Sequence, residues 1–134
     1  MAFEKVEHLG IAVHDLEKSI PLFEKITGMK CYKKEVVESE GVVTAFLSIG
    51  DTKVELLQSI SEGSAIDKFL QRKGEGMHHI AFEVQDIQKE MNRLKEAGFT
   101  LLNEVPKEGA DNKWICFIHP KETNGVLLEL CQSR

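Results

Sequence analysis

The stretch HLGIAVHDLEK at residues 8–18 returns as HIAFEVQDIQK at residues 79–89, 71 positions later in a chain of 134 residues. Near the ends of the two halves, VELLQ at 54–58 is echoed by LELCQ at 128–132. Each half therefore begins with a histidine and closes with a glutamate. A unit of about 65–70 residues cannot easily bury a core alone, and pairing with a second copy solves that problem. Two histidines and two glutamates in equivalent places indicate one site built symmetrically from both halves.

The first half has the pattern of one strand, one helix and three further strands. A helix is predicted between Asp15 as N-cap and Gly28 as stop. Pro21 interrupts this pattern, so we expect either a kink or a regular helix that begins only after Ser19. The strands are predicted at 5–13 and at about 30–38, 42–49 and 52–58.

Residues 59–75 are predicted to bridge the two modules through a short helix that Ser64 caps and Gly74 ends. The second half then repeats the pattern. It has a strand at 77–84, a helix at 87–97 between Asp86 and Gly98, strands near 99–104, 113–119 and 125–131, and a loop at 106–112.

This order of elements predicts an α+β fold. Two tandem βαβββ modules would form a curved, eight-stranded, cleft-like sheet with the helices outside. We expect a single domain over residues 1–134, with module one at about 1–58 and module two at about 76–134.

Composition narrows the class of protein. The formal net charge of −5 argues against nucleic acid or an anionic membrane as the main partner. Three cysteines without paired spacing predict reduced thiols and a cytoplasmic protein. No signal peptide is expected, and no apolar run approaches the length of a membrane span.

Side chains alternate along a strand, so the faces of each strand can be assigned from the sequence. Leu9, Ile11 and Val13 share the face expected to pack on a helix, which leaves His8 on the other face beside two small residues. The same parity separates Ile80 and Phe82 from His79. It also places Glu55 and Glu129 opposite the leucines and valine that flank them.

An ionised carboxylate inside an apolar strand is costly unless it is paired, hydrogen-bonded or bound to a metal. Imidazole and carboxylate together suit Co, Mn, Ni, Fe or Zn. We therefore predict that His8, Glu55, His79 and Glu129 bind a divalent metal and leave two octahedral positions for water or substrate. A lone strand histidine is more often a surface or hydrogen-bonded residue, and the repeat is what favours ligands here.

The other histidines compete less well for this role. His78 neighbours His79, but the register of the repeat selects His79 and puts His78 on the opposite face. His14 precedes a helix cap and is expected to be exposed. His119, just before a proline, is a candidate to line the cleft.

Four segments carry a resemblance to the vicinal-oxygen-chelate superfamily (glyoxalase/bleomycin resistance), and within it to the methylmalonyl-CoA epimerase family. They are HLGIAV at 8–13, VELL at 54–57, GMHHIAFEV at 76–84 and FIHPKETNGVLLEL at 117–130. The first three also suit related glyoxalases, and the last is the more epimerase-like. The resemblance covers essentially the whole chain.

The resemblance implies that His8, Glu55, His79 and Glu129 hold a divalent metal ion. It implies R/S interconversion at C2 of methylmalonyl-CoA, by α-proton abstraction and return through a metal-stabilised enolate. Glu129 would serve as ligand and as base. The acyl-CoA thioester is then the expected partner, and family resemblance favours a homodimer.

The second acid or base is a departure from the family pattern. A glutamate is expected on the strand after the G-V-V turn, and Thr44 stands at that position. Nearby carboxylates, His119 or a metal-bound water remain open as substitutes; the carboxylates are Glu35, Glu38 and Glu40.

Three other functions compete with the epimerase. A glyoxalase I-like lactoylglutathione lyase would use the same metal site on a different substrate. A metal-free protein that sequesters a ligand would have no need for two buried glutamates. An extradiol dioxygenase is weaker, because its 2-His-1-carboxylate site leaves no place for a second carboxylate.

Overall fold

The two halves of the repeat fold into the same order of secondary structure. The computed structural model describes residues 2–134. It divides into two units: one is His8–His78, and the other combines residues up to Glu7 with His79–Arg134. The single-domain assignment stays a prediction.

The first βαβββ module is followed by the bridging helix. Its strands have the order β2-β3-β4-β1, with β1 parallel to β4 and the other neighbours antiparallel. The elements are β1 Lys5–Ala12, α1 Leu16–Thr27, β2 Lys33–Val37, β3 Val42–Ile49, β4 Thr52–Ser59 and α2 Ala65–Lys73.

The second module repeats the arrangement in the order β5-β8-β7-β6, with β5 parallel to β8. Its elements are β5 Gly76–Glu83, α3 Ile87–Glu96, β6 Lys107–Gly109, β7 Lys113–Ile118 and β8 Leu128–Ser133. The predicted α+β fold of tandem βαβββ modules is confirmed. Across residues 2–134, no helix combines the length and the apolar character needed to cross a membrane.

The helix boundaries follow the predicted caps. The Asp15 carboxylate accepts a hydrogen bond from the Glu17 backbone N–H at 2.9 Å, and Gly28 ends α1 with φ +72°. Of the two alternatives predicted for Pro21, a regular helix that begins only after Ser19 is wrong, because α1 begins at Leu16. The Asp15 carbonyl accepts the Ser19 N–H at 2.9 Å, so the first turn closes before Pro21 is reached.

The predicted strand at 99–104 is wrong, and the segment makes only an isolated bridge at Leu101. The reason is Asn103, whose side chain bonds the backbone of β7 in place of a ladder partner. Its amide donates to the Ile115 carbonyl at 3.2 Å, and its oxygen accepts the Phe117 N–H at 3.2 Å. The sheet continues instead at Lys107–Gly109, inside the segment predicted to be a loop.

The helix-facing sides of the strands form the main cores, as the alternation predicted. In the first unit, Val13 and Leu56 pack with Leu16 of α1. In the second, Val84 and Leu130 pack with Ile87, Met91 and Leu94 around α3. Burial of these apolar faces leaves the opposite faces of β1, β4, β5 and β8 to carry the polar residues.

A pair of glutamines ties each helix to the last strand of its module. The Gln58 side-chain oxygen accepts the Leu16 N–H at 2.7 Å, and the Gln132 oxygen accepts the Ile87 N–H at 2.7 Å. Both acceptors satisfy donors at helix N-termini, which have no partner within the helix. The two glutamines are the last residues of the repeated stretches VELLQ and LELCQ.

Replacing either glutamine with methionine should lower the free energy of unfolding by about 1–2 kcal/mol, because a part-buried helix N–H then loses its acceptor. Urea unfolding of Gln58→Met and Gln132→Met measures this loss. Gln71→Met is the matched control, since Gln71 bonds Asp67 on an exposed helix surface. Equal stability of all three variants would contradict the assigned role.

Candidate metal centre

The first predicted pair of ligands lies on β1 and β4. Gly10 and Glu55 are register partners of these parallel strands, and His8 lies two residues before Gly10 on the same face. The His8 Nδ1 atom is 3.1 Å from a Glu55 carboxylate oxygen. Both residues are buried, with 5% and 3% of their surface exposed.

The second pair repeats this arrangement on β5 and β8. Ala81 and Glu129 are register partners, and His79 lies two residues before Ala81. The His79 Nε2 atom is 3.3 Å from a Glu129 carboxylate oxygen, and both residues are buried. One histidine thus pairs with one glutamate in each of the two units.

An aromatic ring stands beside each glutamate on the neighbouring strand. Phe46 is the register partner of Glu55, and Phe117 is the register partner of Glu129. The Phe117 ring meets the His79 ring edge to face, at 6.0 Å between centroids. Neither phenylalanine was predicted to lie beside a glutamate, although the two are separated by the same 71 positions as the two histidines.

The chemistry of the two pairs suits a metal. Each pair offers an imidazole nitrogen and a carboxylate oxygen, the donor types that divalent transition metals accept. The alternative is a buried ion pair between each glutamate and a protonated histidine. Such a pair contributes little net stability, because the cost of removing both charges from water offsets their attraction. Residues able to hold a metal ion are thus present in each unit.

A family model for the glyoxalase/bleomycin resistance protein/dioxygenase superfamily matches residues 7–117. The chain belongs to this superfamily. It is 40% identical to the ethylmalonyl-CoA/methylmalonyl-CoA epimerase of Cereibacter sphaeroides, over 96% of this chain and 97% of that protein. It is 39% identical to the mitochondrial methylmalonyl-CoA epimerase of Homo sapiens, over 96% of this chain and 74% of that protein.

A solved structure of a methylmalonyl-CoA epimerase is also similar to this superfamily member. A variant of Streptomyces coelicolor methylmalonyl-CoA epimerase, in complex with 2-nitronate-propionyl-CoA, superposes with a TM-score of 0.95 at 35% identity. The superposition covers 98% of this chain and 96% of that one. The resemblance to the methylmalonyl-CoA epimerases, predicted from four sequence segments, is confirmed.

The remaining histidines of this superfamily member have other surroundings. His78 packs against Phe69 of α2, edge to face at 5.0 Å, and alternates with His79 along β5. His14 is exposed, as predicted. The His119 Nδ1 atom accepts the Lys121 N–H at 3.1 Å and so caps a short 3₁₀ turn.

The cysteines are free thiols, as predicted. Burial raises the pKa of Cys116 to about 11 and also raises the pKa of Cys131, where the Glu129 charge adds to the effect. The Cys131 thiol donates to the Phe82 carbonyl at 3.5 Å. These two thiols stay protonated at neutral pH, which fits packing rather than nucleophilic chemistry.

We expect His78 to titrate near pH 4, because burial and then the charge of Arg72 lower its pKa to about 4. Unfolding restores the ordinary value, so the unfolded state binds more protons between pH 4 and 6.5. His78 therefore makes stability rise with pH across that window. Imidazole NMR measures the midpoint directly, and a midpoint at or above 6.5 would contradict the assignment.

Proposed function

We propose that the chain is a methylmalonyl-CoA epimerase that requires a divalent metal ion. The observation that carries this proposal is the pair of buried His–Glu contacts, repeated in equivalent places of the two βαβββ modules. Similarity to epimerases over 96% of the chain supports the reaction type, an isomerisation, and an acyl-CoA thioester as substrate. The homodimer and the cytoplasmic location stay predictions.

We assign His8, Glu55, His79 and Glu129 as the metal ligands. Their donor atoms fit Co, Mn, Ni or Zn, and their burial gives each carboxylate a reason to need a cation. These four residues would hold the ion, which would act as a Lewis acid toward oxygen atoms of the substrate.

A bound divalent ion supplies Lewis-acid chemistry, which lowers the pKa of the C–H bond next to the thioester carbonyl. The protein residues then move the proton. Glu129 removes the α-proton from one face of C2, which leaves a planar enolate. Return of a proton to the opposite face gives the other stereoisomer. The phenylalanines beside the glutamates exclude water, which strengthens the electrostatic interactions of the reacting groups.

The metal assignment is tested by stoichiometry. We expect about one Co²⁺ ion per chain after reconstitution and dialysis, measured by elemental analysis. Glu55→Leu and Glu129→Leu, in different units, should each weaken Co²⁺ binding by at least about tenfold, because both remove a ligand of the same ion.

The control for these variants is Glu96→Gln, on the exposed side of α3. Two ions per chain, with one retained in each leucine variant, would mean two separate sites. No bound metal in the parent protein would leave both pairs as structural ion pairs and overturn the assignment. Urea unfolding of each variant shows whether the fold persists.

The reaction is tested with one stereoisomer of methylmalonyl-CoA in D₂O, with and without Co²⁺. We expect metal-dependent deuterium uptake at C2 and stereochemical scrambling, followed by mass spectrometry and a coupled mutase assay. With the stereoisomer whose α-proton faces Glu129, Glu129→Gln should lower both rates by about 10²–10⁴-fold, because the general base on that face is lost.

Glu96→Gln again serves as the control and should react like the parent. If the metal-loaded protein shows no exchange above the spontaneous rate, the epimerase proposal fails. Turnover of the thiohemiacetal of methylglyoxal would then favour a glyoxalase-type lyase.

A further inference from the structure

A small apolar cluster in the second unit, the apolar patch, lies apart from the core that packs on α3. Its buried members are Ala81, Ile115 and Cys131, and the partly buried Phe117 packs against them. Within residues 2–134, the members of this cluster come from the strands β5, β7 and β8 and from no helix. The apolar patch is therefore separate from the helix–sheet core of its unit.

The apolar patch lies around the carboxylate that we assign as a base. Glu129 lies on β8, and its register partners on the two neighbouring strands are Ala81 and Phe117. Cys131 follows two residues later on the same face, and its register partner on β7 is Ile115. Ile115 is thus a diagonal neighbour of Glu129, and such residues are about 7–8 Å apart. A carbon atom in contact with Glu129 therefore carries its other substituents toward the apolar patch.

A glycine on the neighbouring strand holds the Ile115 side chain in place. A Cβ atom added to Gly109 of β6 would be 2.7 Å from the Cγ2 atom of Ile115 and 2.9 Å from its Cδ1 atom. These distances are shorter than van der Waals contact, so a side chain at position 109 would move Ile115 away from β6. Because β8 lies on the other side of β7, this movement is toward the strand that carries Glu129. The absence of a side chain at Gly109 therefore sets how much room remains beside Glu129.

The four substituents at C2 of methylmalonyl-CoA need different surroundings. The α-hydrogen faces a base, and the carboxylate and the thioester carbonyl need polar partners. The methyl group is the apolar substituent, and its transfer from water to an apolar surface is favourable. In the planar enolate the methyl group keeps its position while the proton changes faces. One apolar contact can therefore serve both stereoisomers.

We propose that Ile115 limits the size of the alkyl group at C2 of the substrate, and that Gly109 fixes the position of Ile115. This rests on the proposed function. A methyl group fits between the apolar patch and Glu129, whereas a longer alkyl group meets the side chain of Ile115. Ile115 thus determines substrate specificity, and Gly109 is a positioning residue that acts through it.

The test compares methylmalonyl-CoA with ethylmalonyl-CoA, which has one more methylene at C2, in the metal-loaded protein. Deuterium uptake at C2 in D₂O, followed by mass spectrometry, reports both substrates without a coupling enzyme. The parent should prefer methylmalonyl-CoA. Ile115→Val should raise kcat/KM for ethylmalonyl-CoA relative to methylmalonyl-CoA by about tenfold, because it removes one methyl group from the apolar patch. Gly109→Ala should lower the same ratio, because it moves Ile115 toward Glu129.

The matched control is Ile118→Val on the same strand. Ile118 is 3% exposed and packs in the core around α3, on the opposite face of β7. Both Ile→Val variants remove the same methyl group and should lose similar stability in urea unfolding. Ile118→Val should nevertheless leave the substrate ratio unchanged. A change confined to Ile115→Val therefore reports contact with the substrate rather than a loosened strand.

A second readout is independent of turnover. Propionyl-CoA and butyryl-CoA differ by the same methylene group and have no stereocentre at C2. Calorimetry with the metal-loaded protein measures both dissociation constants. Ile115→Val should tighten the binding of butyryl-CoA relative to propionyl-CoA, and Gly109→Ala should weaken it.

Three results would overturn the role of Ile115 while the epimerase proposal stands. They are a parent without preference between the two substrates, a ratio for Ile115→Val within about twofold of the parent, and an equal shift in Ile118→Val. An unchanged ratio in Gly109→Ala would overturn the positioning role of Gly109. A parent protein that exchanges neither substrate above the spontaneous rate with metal bound would overturn the proposed function, and this inference with it.

Discussion

The burial of two carboxylates in the interior of strands is the constraint on which the rest of the structure depends. Glu55 and Glu129 lie among apolar neighbours and are nearly inaccessible to water. Each carboxylate has an imidazole nitrogen at 3.1 or 3.3 Å. A buried charge left alone would be costly, so the positions of the two histidines, and of the strands that carry them, are tied to those of the glutamates.

The last strand of each module contacts both the histidine of its His–Glu pair and the first residue of a helix. On β4, Glu55 contacts His8, and Gln58, of opposite parity, accepts a hydrogen bond from the first residue of α1. On β8, Glu129 and Gln132 do the same for α3. Because side chains alternate, one strand can carry a buried glutamate on one face and a glutamine that bonds a helix terminus on the other. The same strand backbone therefore sets the position of the helix and that of the buried glutamate.

The two modules agree in their His–Glu pairs and differ in the residues beside them. An epimerase has to move protons on two faces of one carbon, and a metal ligand that doubles as a base accounts for only one of them. The difference between Thr44 with Glu35 and Ile115 with Lys107 lies next to the repeated pairs. A duplicated scaffold can thus keep a symmetric set of His–Glu pairs while its neighbouring strands carry different side chains.

The repeat, the βαβββ order, the caps at Asp15, Asp86 and Ser64, and the four candidate ligands could all be predicted from the amino-acid sequence. These follow from local rules, since the alternation of side chains and the preferences of helix termini act over a few residues. The strand predicted at 99–104 was wrong, because the Asn103 side chain bonds a strand more than ten residues away. Which carboxylate lies opposite Thr44 was likewise open, since strand register makes Glu35 its partner. These points depend on the folded chain, because strand register and long-range side-chain hydrogen bonds join residues whose separation along the chain leaves no local pattern.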